Sequence, residues 1–80
     1  MSKVYAYQSS DYAGIDFEGG SFYYGYEQTD DEDNWCFVAN TENGEFWLSS
    51  KDMPQHNQFD VTRCLMYGIG AYMESNKQER

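Results

Sequence analysis

The chain has 80 residues, 19% of them aromatic, and 14 acids against 5 bases give it a formal net charge of -9. That length allows one domain with a small core, and the polyacidic balance argues against direct binding to nucleic acid or anionic lipid, both of which require cations to neutralise phosphate. With no apolar run near the length of a membrane span and no charged-then-apolar amino terminus, neither insertion nor secretion is expected, and two cysteines, Cys36 and Cys64, fit reduced thiols in a cytoplasm.

The charge is organised. Between Val4 and Ser50 lie Asp11, Asp16, Glu18, Glu27, Asp30, Asp31, Glu32, Asp33, Glu42 and Glu45, and no Lys or Arg. The bases Lys3, Lys51, Arg63, Lys77 and Arg80 all fall outside that stretch, so the first half of the chain carries an almost uninterrupted negative potential. Low hydrophobicity with high charge would suggest disorder, but the aromatic residues alternate as strands require, and the chain reads as folded.

In chain order, Lys3 to Gln8 alternates as a strand. Gly14 to Glu18 and Ser21 to Gln28 then flank Gly19-Gly20, a two-residue hairpin signal that sets Phe17 opposite Phe22 and Ile15 opposite Tyr24. Thr29 to Asn34 is a polar link to a strand over Trp35 to Asn40. For the next hairpin, a turn at Asn43-Gly44 would oppose Glu42 to Glu45, a like-charge pair. A three-residue loop of Glu42, Asn43 and Gly44 avoids that cost. The preferred loop places Cys36, Val38, Phe46 and Leu48 on one face and Trp35, Phe37, Ala39 and Trp47 on the other.

After a loop over about 51–59 containing Pro54, a helix is predicted from Asp60, a good N-cap, to about Asn76. Val61, Cys64, Leu65, Gly68, Ile69, Tyr72 and Met73 fall on one stripe, where Gly68 lets the helix approach the sheet closely. Gly70 is off that stripe. The predicted class is α+β: residues 1–80 as one domain, a small antiparallel sheet of four or five strands with two hairpins over about 3–50, and one carboxy-terminal helix on one face. One helix does not cover two apolar faces, so Trp35, Phe37 and Trp47 are expected on an uncovered side, unless the sheet curls to bury both.

The motifs for chemistry are weak. Asp30-Asp31-Glu32-Asp33 resembles the start of a calcium loop, but Trp35 and Thr41 stand where that loop requires its glycine and its final glutamate. A zinc set of Cys36, Cys64, His56 and Asp52 lacks a closely spaced ligand pair, and Cys64 fits better as a small apolar side chain facing Cys36 across the core. His56 is the only histidine and has no recognisable nucleophile spacing. Glycines 14, 19, 20 and 25 form no phosphate loop, because no lysine follows them. Neither a cofactor nor an enzyme activity is expected, since so small a sheet leaves little volume for a catalytic cleft.

What remains is a partner surface. Alternate side chains on a strand project about 6.6 Å apart, so acids on neighbouring strands and turns form rows of carboxylates that imitate a polyanion. The expected binding set is Asp11, Asp16, Glu18, Glu27, Asp30, Asp31, Glu32 and Asp33 together with Tyr24, Tyr26, Trp35 and Trp47. Tyr5, Tyr7, Tyr12 and Tyr23 add contact area whose ring faces receive Arg. In size, acidity and lack of catalytic motifs the chain resembles the phage-encoded anti-defence inhibitors, including anti-CRISPR and anti-restriction proteins. That resemblance covers the character of the whole chain and no motif; it implies as target a CRISPR surveillance complex or a restriction enzyme in a bacterial host cytoplasm. Two other readings stay open: an immunity or antitoxin protein neutralising a basic nuclease toxin, and a non-catalytic adaptor forming a homodimer through an aromatic face.

Overall fold

Period-two alternation carries the first part of the chain into five strands: β1 (Val4–Gln8), β2 (Tyr12–Phe17), β3 (Gly20–Gln28), β4 (Asp33–Thr41) and β5 (Gly44–Ser49). A short 3-10 turn, η1 (Ser50–Asp52), follows, and then the helix α1 (Val61–Lys77). This computed structural model describes residues 3–28, 33–54 and 57–77, without the side chains of 27, 28, 33, 34 and 77. Each strand pairs antiparallel with the next, in the order β1-β2-β3-β4-β5. The α+β class, the single sheet and the carboxy-terminal helix packed on it are as the sequence predicts.

Both hairpin registers differ from the predicted ones. In the first, Phe17 pairs with Gly20 and Ile15 with Phe22, so the turn is Glu18-Gly19 and Gly20 already belongs to β3. Gly19 alone of the pair has a positive φ, +104°. Gly20 is needed for a different reason: a Cβ there would run into the carbonyl oxygen of Asn40 and come within 2.9 Å of Thr41 Cα on β4. The shift moves the pairing by two residues, so each side chain keeps its face.

The second hairpin turns at Glu42-Asn43, with Thr41 opposite Gly44 and Asn40 opposite Glu45. Thr41 Oγ1 accepts a hydrogen bond from the Asn43 backbone N–H at 3.1 Å, and Gly44 takes φ +112° as the chain re-enters the sheet. Relative to the predicted three-residue loop the register moves by one, which reverses the faces of β5 relative to β4. Phe46 and Leu48 therefore join Phe37 and Ala39 on the helix side, opposite Ala39 and Phe37 respectively. Trp47 goes to the other face, opposite Val38.

The core lies between the helix and that sheet face. Ala13, Tyr24, Phe37 and Ala39 are buried from the sheet, Met53 from the connecting segment, and Val61, Cys64, Leu65 and Tyr72 from the helix. Asp60 caps the helix: its backbone oxygen receives the Cys64 N–H at 3.0 Å and its side chain the Arg63 N–H at 3.5 Å. At the other end of the stripe, Tyr72 lies 5.6 Å from the Phe22 ring and 5.8 Å from Phe46. Met73, one residue further round the helix, is 59% exposed and does not belong to the stripe. Gly70 is exposed with open space around it, and nothing in the structure explains it.

Trp35 and Phe37 are not on an uncovered face. Phe37 is fully buried beneath the helix, and Trp35 packs between Tyr24, Tyr26 and Phe59 with centroids 6.0, 5.6 and 5.3 Å away. Nor do the two cysteines meet across the core. Cys64 is in the buried cluster, whereas Cys36 alternates with Phe37 and belongs to the opposite face of the sheet. Neither is in a disulfide.

Candidate functional site

The sheet face turned away from the helix can be read directly from the register, strand by strand. One transverse row runs Tyr5, Asp16, Ser21, Asn40, Glu45. The next runs Tyr7, Gly14, Tyr23, Val38, Trp47. A third runs Tyr12, Gly25, Cys36, Ser49. These rows contain carboxylates, hydroxyls and aromatic rings, and no Lys or Arg.

Glycine makes the tyrosines lie down. A Cβ on Gly14 would meet the Tyr7 ring and hydroxyl, and a Cβ on Gly25 would meet those of Tyr23. Each ring thus covers a bare stretch of neighbouring backbone, leaving both glycines buried. The rings form a chain: Tyr5 to Tyr7 at 6.1 Å, Tyr7 to Tyr12 at 6.2 Å, and Tyr12 stacked on Tyr23 at 6.4 Å. The glycine contacts restrain Tyr7 and Tyr23, while Tyr5 and Tyr12 remain exposed.

Charge flanks the rings. Partial burial raises the Tyr7 hydroxyl pKa above its ordinary value, and the Asp16 carboxylate and Tyr12 push it in the same direction. At the far side of the sheet, Trp47 Nε1 donates to Glu45 Oε1 at 3.2 Å, and the indole remains 51% exposed. Asp11 is exposed in the β1–β2 turn, and Glu18 and Glu42 are exposed in turns that the Gly20–Thr41 pair brings to the same end of the sheet. Among the described bases, Lys3 precedes β1, Lys51 is in η1, Arg63 is on α1, 3.1 Å from Asp60, and Lys77 is the last residue of α1.

The predicted binding residues are therefore divided. Asp16 and Trp47 belong to the face away from the helix; Asp11 and Glu18 lie at opposite ends of the sheet. Tyr24 has no exposed surface: it is buried in the core and donates its hydroxyl to Gln58 O at 2.7 Å. Trp35 is partly buried on the helix side, with the half-exposed Tyr26 beside it. Glu27 and Asp33 are strand residues, opposite Asn34 and Gln28. Asp30, Asp31 and Glu32 lie outside the described residues, as does His56. Tyr5, Tyr7, Tyr12, Tyr23 and Glu45 complete the face; the clue to it in the sequence is glycine, which stands opposite Tyr7 and Tyr23 at position 14 and opposite Tyr12 at position 25.

Other chemistry finds little support among the described residues. No group of three or more His, Cys, Asp or Glu side chains is placed to hold a metal ion, and Cys36 and Cys64 lie on different sides of the sheet. Burial raises the Cys64 thiol pKa, and its Sγ donates to Asn57 O at 3.3 Å, the environment of a packed rather than a nucleophilic cysteine. A groove of about 360 Å³ lies between β1, β2 and the helix, lined by Ala6, Ala13, Ile15, Leu65 and Met66 among others, with Tyr7 its only titratable residue. No helix of the described residues is long and apolar enough to cross a membrane. No protein-family model matches the chain, and neither the curated proteins nor the solved structures contain a significant match.

Proposed function

We propose that this chain is a small acidic inhibitor that binds and blocks the basic nucleic-acid-binding surface of a nuclease or defence complex. The observation that carries this reading is the face away from the helix, where Asp16 and Glu45 flank a row of tyrosines and Trp47 without a base among them. An Arg-rich groove offers what such a face accepts: guanidinium planes that stack on aromatic rings and pair with carboxylates. Nucleic acid presents the same groove with stacked rings and anionic groups, which is the sense in which the face imitates it. The exposed Asp11, Glu18 and Glu42, and the sequence run Asp30-Asp31-Glu32-Asp33, extend the negative field beyond the contact and steer encounter.

The test is affinity capture from a bacterial lysate at low salt, run in parallel with wild type and with a Tyr12→Ala/Trp47→Ala variant, followed by elution at high salt. The expected eluate from wild type is a nucleic-acid-binding protein that the variant does not retain. Capture of a protein with no nucleic-acid-binding activity, or equal retention by the variant, contradicts the reading.

A further inference from the structure

We propose that β1 pairs antiparallel with β1 of a second copy about a two-fold axis at Ala6, fusing two sheets at their edges. The inference rests on the edge itself and not on the function proposed above.

β1 is a terminal strand of the sheet, so among the described residues one side of its backbone has no strand partner. Edges of this kind are normally guarded by charge, proline or a bulge. Val4–Gln8 has none of these: its sequence is VYAYQ, and its pairing with β2 runs residue for residue without interruption. It is also apolar and open, with Val4 69% and Tyr5 67% exposed. The other edge, β5, carries the exposed Glu45.

Charge selects the same edge. Two chains of net charge -9 repel, and association between copies is least opposed where carboxylates are absent. β1 contains none, and Lys3, the only base before Lys51, immediately precedes it. Pairing centred on Ala6 places Val4 opposite the second copy's Gln8 and Tyr5 opposite its Tyr7. Lys3 then falls opposite the second copy's Ser9, two residues before its Asp11. The attraction between Lys3 and Asp11 occurs twice, once for each copy.

Both faces of the sheet fit this arrangement. A two-fold axis normal to the sheet keeps both helices on one side, where the small Ala6 meets its own copy and the grooves beside β1 become continuous. Met66, 66% exposed, stands on the rim of each groove. On the other side Tyr5 and Tyr7 of the two copies interleave, so the tyrosine rows join into one aromatic surface to which each copy contributes.

Sedimentation equilibrium of the full chain over a concentration series tests the proposal, with Ala6→Lys and Ala6→Cys as variants. Ala6 is exposed, so neither substitution disturbs the core; circular dichroism checks the fold. Wild type is expected to dimerise, and Ala6→Lys to weaken the dimer at least tenfold by setting like charges opposite each other. That variant also lowers the net negative charge, which would strengthen association through any other surface. Ala6→Cys is expected to form a covalent dimer on mild oxidation, because paired antiparallel residues have Cα atoms about 4.5–5.5 Å apart, within disulfide reach. The native cysteines are buried and do not compete. A wild type that stays monomeric overturns the proposal, as does a dimer that Ala6→Lys leaves intact. A monomer whose capture of another protein is lost in Ala6→Lys also overturns it and assigns the edge to that protein's strand.

Discussion

Gly68 on the helix lies directly against the Phe37 ring of β4: a Cβ added to Gly68 would overlap that ring. Phe37 is fully buried, with Phe22 stacked at 6.1 Å and Phe46 edge-on at 6.3 Å, so it has no free space into which to retreat. Two effects of opposite sign compete in Gly68→Ala. Helix propensity favours alanine by about 1 kcal/mol, whereas overpacking a filled core costs about 1–3 kcal/mol. The rigid site makes overpacking win, and the expected outcome is a lower urea midpoint with an unchanged m-value. Gly70→Ala has no such opponent and is expected to raise stability by up to about 1 kcal/mol, and the midpoint with it.

A second prediction concerns alkaline pH. Burial, followed by its interaction with Cys64, raises the Tyr24 pKa well above its ordinary value of 10.0, and burial raises that of Cys64 above its ordinary 9.0. Both groups are therefore held neutral by the fold while the unfolded chain ionises first. Their stabilisation is complete below about pH 8 and is lost as pH rises through the two unfolded values toward the folded ones. Urea midpoints measured from about pH 8 to pH 11 are expected to fall, and to fall less steeply in Tyr24→Phe. Tyr24→Phe retains the general increase in negative charge at high pH, so the difference between the two curves isolates the buried hydroxyl. Parallel curves would show that Tyr24 is not the group responsible.

The two tryptophans separate the observed β5 register from its one-residue alternative. Trp47 is half exposed on the face away from the helix, and Trp47→Ala is expected to change stability by less than about 1 kcal/mol. Trp35 is enclosed by Tyr24, Tyr26 and Phe59, and Trp35→Ala is expected to cost about 2 kcal/mol or more. Acrylamide should quench the Trp47 emission remaining in Trp35→Phe more strongly than the Trp35 emission remaining in Trp47→Phe. The reverse order would place Trp47 under the helix.

The helix was legible because its signals are local: Asp60 caps it, and the spacing of Val61, Cys64, Leu65, Gly68 and Tyr72 fixes its buried stripe. The strands were legible for the same reason, through alternation. Register was not, because it depends on contacts between strands. Gly20 reads as a turn residue beside Gly19, yet it is glycine because Asn40 and Thr41 pass too close for a side chain. Thr41 likewise gives no sign alone that its hydroxyl holds the Asn43 N–H and shares a 2.8 Å hydrogen bond with Tyr72 OH. That one-residue difference sets Phe46 and Leu48 beside Phe37 and Ala39; Trp47 stays on the uncovered side as expected, and Trp35 and Phe37 are the residues that leave it. Alternation showed that two faces exist; only the register showed that the face away from the helix gathers tyrosine, glycine and carboxylate.

Competition with nucleic acid is the most direct test of the polyanion-like face. With the captured partner immobilised and its duplex or guide nucleic acid titrated in, binding of this chain is expected to be mutually exclusive with nucleic acid. Its association rate should also fall steeply as the screening length shrinks from about 30 Å at 0.01 M salt to about 8 Å at 0.15 M. Asp16→Asn/Glu45→Gln is expected to slow low-salt association while leaving the thermal midpoint unchanged, since both carboxylates are exposed. A ternary complex in which the partner holds this chain and its nucleic acid together, with an association rate indifferent to salt, would contradict the claim that the face occupies a basic nucleic-acid groove.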